Sequence, residues 1–230
     1  MSAPEQTFSS SARTQAEAVL VQGVSRLGLD LPGEILDRLL VYLELLAKWN
    51  RVYNLTAVRD PVQMVIRHLL DSFAVLPHVA GKRFIDVGTG AGLPGIPLAV
   101  ALADTQWVLL DANGKKARFV TQAVAAAGLT NVSVAHARVE DYHPAHPFDA
   151  VVTRAYASLE VMVASTRHLC GPHGRILAMK GRLPGEEIRR VKAMSRVVRV
   201  HELTVPGLTE ERCLVEVLPD PVVSGGGAKN

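Results

Sequence analysis

Phe84-Ile85-Asp86-Val87-Gly88-Thr89-Gly90-Ala91-Gly92-Leu93-Pro94-Gly95 is an apolar run with one acid inside it, which breaks into glycines and then into a proline fit to open a helix. A charged carboxylate in a buried strand is costly unless something pairs with it, so Asp86 is expected at the carboxyl end of the strand, facing a ligand. The glycines permit positive φ in the turn and let a ligand approach the backbone with no Cβ in the way. Pro94 and Pro97 suit a first helical turn, where the missing N–H would have no partner anyway. Leu98, Val100, Ala101 and Leu102 then continue an apolar helix.

Two fingerprints overlap in this stretch. Gly88-x-Gly90-x-Gly92 fits the loop of S-adenosylmethionine enzymes, and Gly90-x-Gly92-x-x-Gly95 fits the dinucleotide pattern, which alone is weak evidence. Both ligands call for an acid about 20 residues on, at the end of the next strand, to hold ribose hydroxyls. Trp107-Val108-Leu109-Leu110-Asp111 supplies it, so Asp111 speaks for a ribose and not for one cofactor. Asp86 separates the two: a dinucleotide reading strands it, with Gly88, inside the sheet. In the methyl-donor reading it can lie close to the amino and sulfonium side of the donor. The plainer alternative is a set of loop and packing glycines.

The 230 residues are 48% hydrophobic, enough for one large domain with a well-buried core. The longest uninterrupted apolar run, from Ile96 through Ala103, contains a proline and falls far short of the roughly 20 residues that span a bilayer. No membrane partner is expected. Residues 1–13 are polar and serine-rich, with no apolar core of a secretory signal, and read as a disordered tail. Two widely spaced cysteines, Cys170 and Cys213, make no zinc pattern, so no metal is expected and a reducing, cytoplasmic setting is the simplest inference. The net charge is +3. Its distribution says more than its sum: Lys115-Lys116-Arg118, Arg138, Arg154 and Lys180-Arg182 follow expected strands and form a candidate phosphate-binding rim. Arg189, Arg190 and Lys192 fall in a helical pattern and read as a solvated face.

From Thr14 to residue 80 the pattern is helical. Apolar residues recur at helical spacing over 18–27 and 35–47, and Asp60-Pro61 reads as the cap of a third helix running through Val75. The segment Lys48 to Thr56, between the second and third helices, reads as an aromatic and amide-rich loop that either serves the substrate or packs Trp49 and Tyr53 onto the sheet. Residues 81–219 alternate strand and helix, with strands at 83–87, 106–110, 132–136, 148–153 and 174–179. Helices are expected at 94–103, 114–127, 158–169 and 184–193. The segments 197–205 and 212–218 have no helix of ordinary length between them and pair as an antiparallel hairpin at the sheet edge. This is an α/β, Rossmann-like class I methyltransferase architecture: a parallel sheet, an antiparallel C-terminal hairpin and an N-terminal helical cap. Residues 220–230 read as a flexible tail.

Lys48-Trp49-Asn50, Tyr53-Asn54-Leu55-Thr56, Arg67-His68-Leu69-Leu70-Asp71-Ser72, the run from Phe84 to Leu98, and Arg154-Ala155 closely resemble the bacterial small-subunit ribosomal RNA methyltransferase G family, also called glucose-inhibited division protein B. The resemblance extends over about residues 20–218. It implies methyl transfer from S-adenosylmethionine to N7 of a guanine in the 530 loop of 16S ribosomal RNA, with that RNA or the small ribosomal subunit as partner and the enzyme as a monomer. Carried over by position, it puts the donor site on Gly88, Leu93, Val139, Glu140 and Arg154, beside Asp86, Gly90 and Asp111. Glu140 stands in the loop where a carboxylate or carbonyl accepts from the adenine amine. Ala91 departs from the family, where proline is frequent.

Enzymes that methylate exocyclic amines often carry an Asn/Asp-Pro-Pro-aromatic tetrad after the fourth strand; here that place reads Thr153-Arg154-Ala155-Tyr156. Its absence fits N7, whose lone pair is free at neutral pH, and no catalytic base is named. Arg138 and Arg154 are candidates for phosphate, guanine O6 or the donor carboxylate. Asn54, His68 and Lys115 are further RNA candidates, each with a structural alternative. The rival readings are an NAD-dependent oxidoreductase, an RNA-binding assembly protein with a vestigial donor pocket, and a methyltransferase acting on a small molecule.

Overall fold

A seven-stranded sheet in the order β3-β2-β1-β4-β5-β7-β6 forms the centre of the molecule. The computed structural model describes residues 8–192 and 195–220. Strands β1 (Arg83–Val87), β2 (Gln106–Asp111), β3 (Val132–His136), β4 (Phe148–Arg154) and β5 (Cys170–Lys180) are parallel. Between β5 and β6 (Ser195–Glu202) lies β7 (Cys213–Pro219), antiparallel to both. The hairpin is therefore as expected, and it closes the sheet without the sixth parallel strand of a dehydrogenase domain. The strand order reverses at β1 and β4, and the crevice at their carboxyl ends is where open α/β sheets bind ligands.

Alternation along each strand feeds two cores. Phe84, Trp107, Leu109, Ala150 and Val152 face α5 (Gly95–Ala101), α6 (Gly114–Ala126) and the N-terminal helices. Ile85, Val87, Leu110 and Val151 face α7 (Leu159–Thr166) and α8 (Gly185–Val191). All are buried, so each strand is apolar on both faces, as parallel strands under two helical layers must be.

The N-terminal region departs from expectation in three places. Helix α1 (Ser10–Arg26) starts within the expected tail: Ser9 accepts from the Ala12 N–H at 3.2 Å, and the preceding Phe8 is buried. Residues 1–7 and 221–230 of the two expected tails lie outside the described residues. Helix α2 (Gly33–Tyr53) runs through the supposed loop as far as Tyr53, because Trp49 packs edge-on against Phe119 of α6, with ring centroids 5.5 Å apart. Trp49 thus does pack the cap, onto α6, while Tyr53 stacks on Trp49 at 5.0 Å with its outer face exposed. Third, α3 (Pro61–Met64) passes into a π-helical segment, Val65–Leu70, before α4 (Asp71–Phe73). His68 through Val75 are all buried, a run that no single α-helical face can hide. The π turn, a feature frequent at functional sites, is the local solution.

Candidate functional site

Three glycines of the β1–α5 turn hold positive φ: Gly88 at 69°, Gly90 at 61° and Gly92 at 85°. The Gly88 and Thr89 N–H groups both donate to the Leu110 carbonyl, at 2.9 and 3.0 Å, which ties the turn to the end of β2. Asp111 completes the tie, its Oδ2 accepting from the Gly90 N–H and its Oδ1 from the Asn113 N–H, both at 2.8 Å. From the cap side, the Tyr42 hydroxyl donates to the Ala91 carbonyl at 2.8 Å. Sequence reasoning missed Tyr42, whose signal was only one more apolar position on a helix.

Asp86 is fully buried beneath this turn. Its Oδ2 accepts from Thr89 Oγ1 at 2.7 Å and from the Gly95 N–H at 2.9 Å, while Oδ1 has no partner. It shapes the loop and does not reach the cavity surface, which corrects the expectation that it faces a ligand. Burial pushes its carboxyl from 3.8 up to about 6, against the Thr89 and Gly95 hydrogen bonds that favour the charge. A raised acid contributes stability that is present below its unfolded pKa and is lost as pH rises through the folded one. Unfolding measured from about pH 4 to about pH 7.5 should show the parent losing about 2 kcal/mol relative to Asp86→Asn. Parallel profiles for the two proteins would refute this. His68, lowered to about 4 chiefly by burial, contributes a slope of the opposite sign that is common to both proteins and cancels in the comparison.

Two cavities open at the carboxyl edge of the sheet. The first, about 200 Å³, is lined by Gly88, Asp111, Arg138, Val139, Glu140 and Tyr156. The second, about 460 Å³, lies under the π segment and is lined by Arg67, His68, Asp71, Arg154, Lys180 and Arg212. Consecutive residues of the turn after β4 line them, Ala155 the second and Tyr156 the first, and Ala155 is held at φ 53°. A non-glycine residue in the left-handed region costs of order 1–3 kcal/mol and persists where surrounding structure enforces it, often at functional sites.

Charge in the second cavity is concentrated and organised. The buried Asp71 carboxylate accepts from Arg154 Nη1 at 3.1 Å on Oδ2 and from Arg212 Nε at 3.0 Å on Oδ1. Arg154 Nη1 also donates to the Arg67 carbonyl at 3.0 Å, and Lys180 Nζ donates to the Ala157 carbonyl at 3.0 Å. His68 Nε2 lies 3.0 Å from Thr56 Oγ1, and its Nδ1 has no partner. Held neutral by burial near Arg154, this ring adds no charge to the wall.

A protein-family model described as rRNA small subunit methyltransferase G matches residues 35–215, a span that includes both cavities. The chain belongs to this family. Ribosomal RNA small subunit methyltransferase G of Nitrosococcus oceani is 46% identical over 203 residues, covering 88% of this chain and 95% of that protein. The protein of the same name from Aeromonas salmonicida is 51% identical over 179 residues, covering 78% and 86%. Among solved structures, the N-methyltransferase NodS of Bradyrhizobium japonicum, in complex with S-adenosyl-L-homocysteine, superposes with a TM-score of 0.52 at 15% identity, covering 78% of this chain and 98% of NodS. That likeness bears on the fold, a Rossmann-like methyltransferase sheet.

Of the positions carried over from the methyltransferase G family, the structure gathers Gly88, Val139 and Glu140 around the first cavity, with Asp111 and Arg138 beside them. Gly90 sits behind it, bonded to Asp111. Leu93 is buried in the core on the cap side. Arg154 lines the second cavity instead, with His68. Asn54 and Lys115 join neither group. Asn54 is the left-handed C-cap of α2, at φ 48°, and its side chain accepts from Arg59; Lys115 is exposed at the start of α6. Arg189 and Arg190, expected on a solvated helix face, pair with Glu186 and Glu160. Asp71 and Arg212 were missed as site residues, since nothing local in sequence joins positions so far apart. Burial pushes the Cys170 thiol up to about 12, so it is no nucleophile.

Proposed function

We propose that the chain transfers a methyl group from S-adenosylmethionine to N7 of a guanine in the 530 loop of 16S ribosomal RNA. The observation that carries this reading is the pairing of a family match across residues 35–215 with two adjoining cavities of different chemistry, one built on a glycine turn and one walled by four cations. The first cavity fits the donor. A Cβ on Gly88 would lie 2.7 Å from the Tyr156 ring, so the turn admits no side chain there. Asp111 spends one contact on each oxygen within the chain and keeps acceptor capacity for ribose hydroxyls. Val139 and Glu140, both on the wall of that cavity, would hold the adenine end, where a carboxylate or carbonyl accepts from the amine. When bound, S-adenosylmethionine supplies an electrophilic methyl carried on a sulfonium.

The residues of the second cavity hold the acceptor. Arg67, Arg154, Lys180 and Arg212 offer N–H donors to phosphate oxygens and to guanine O6, and guanidinium forks suit both. No side chain takes a proton, because N7 bears none, so the contribution of the chain is positioning, where ordered reactants contribute on the order of 7–11 kcal/mol. Ala155, fixed in its left-handed conformation between the cavities, sets Arg154 toward one and Tyr156 toward the other.

The direct test is incubation of the purified protein with methyl-labelled S-adenosylmethionine and small ribosomal subunits from a strain lacking the enzyme, with protein-free 16S RNA alongside. Label at N7 of a 530-loop guanine is the expected result. Label at another base, or none with donor binding intact, would overturn the assigned acceptor.

A further inference from the structure

The geometry points to Asp71 as a positioning residue for the methyl acceptor: one buried carboxylate that sets the directions of two guanidinium groups brought from the strands on either side of β5. This rests on the acceptor reading of the second cavity. Arg154 arrives from the end of β4 and Arg212 from the residue before β7, and each is only 21% exposed. Like charges on one wall repel and would splay into different rotamers. Asp71, 4% exposed in its side chain, gives each a fixed partner on a separate oxygen. Because Arg carries five N–H donors and Asp71 engages a single nitrogen of each, both keep donors for an incoming phosphate or purine.

The π segment is what delivers Asp71 to this place. It ends at Leu70, the residue before Asp71, and one extra residue in a helical turn rotates everything after it by about 100°. The carboxylate is thereby aimed at the sheet edge in the same stretch that presents the Arg67 carbonyl to Arg154.

The test is a double-mutant cycle in the methyl-transfer assay, with donor affinity measured separately by calorimetry. Asp71→Ala and Asp71→Asn are each expected to reduce kcat/KM for RNA by about 100-fold with donor affinity unchanged, the size of effect that displaced reactants produce. Asp71→Ala combined with Arg212→Ala is expected to lose no more than the worse single variant, since Asp71 acts through the arginines. Multiplying losses, or an unimpaired Asp71→Asn, would overturn the role. Asp71→Asn keeps the shape and one acceptor, so it folds even where the alanine variant does not. Parent enzyme in the same assay separates the two readings. An inactive parent overturns the acceptor assignment on which the role depends, whereas an active parent with a fully active Asp71→Asn overturns Asp71 alone.

Discussion

Arg154→Ala is expected to cut methyl transfer by about 100-fold or more while the protein still binds the donor, because the lost group orients the acceptor and small misplacements of reactants are that costly. Family position put Arg154 at the donor, while its chemistry also suits phosphate or guanine O6; it lines the cavity of Arg67, His68 and Arg212, two residues before Tyr156 of the first cavity. Calorimetry with S-adenosylmethionine and a single-turnover assay on RNA, run on the same preparation, distinguish these positions. Weakened donor binding with an unchanged single-turnover rate would return Arg154 to the donor side. The fold should survive, since Asp71 keeps its bond to Arg212 and is not left as an unpaired buried charge.

Asp111→Ala should act on the other cavity. Its carboxylate receives two backbone N–H groups, and its place on the wall of the first cavity supports our proposal that it takes ribose hydroxyls of the donor. Hydrogen bonds to a charged group contribute about 1.5–3 kcal/mol each, so loss of the ribose contact alone weakens donor binding by roughly 10- to 100-fold. Two backbone donors left without their partner add a stability loss of about 1–3 kcal/mol apiece where water cannot reach them. Asp111→Asn keeps the shape and one acceptor, and should recover most of the stability with less of the affinity. Equal donor affinity in the parent and both variants would remove Asp111 from the donor site.

Legibility of the fold in the sequence followed the range of the forces involved. The strands at 83–87 and 132–136 match β1 and β3 residue for residue, and the antiparallel end of the sheet was expected from a gap too short for a crossover helix. Apolar runs, glycines and prolines act within a few residues of themselves. Misses arose where distant packing overrode a local signal. Trp49 keeps α2 helical through Tyr53 because Phe119 lies against it, and the π turn before Asp71 is invisible to a pattern of apolar residues that also fits an α-helix.

By itself the sequence determined the class of fold, the glycine turn after β1 and an acid in each of β1 and β2, since apolar runs and glycines act within a few residues of themselves. Only the tertiary structure decided which face each acid serves, with Asp86 holding the turn from beneath and Asp111 standing at the cavity wall. It alone assembled Asp71, Arg154 and Arg212, separated by 83 and 141 positions from the carboxylate that joins them. A buried charge must find its partner wherever the chain brings one, and that choice is made by the packing of the cap on the sheet and not by neighbours in the chain.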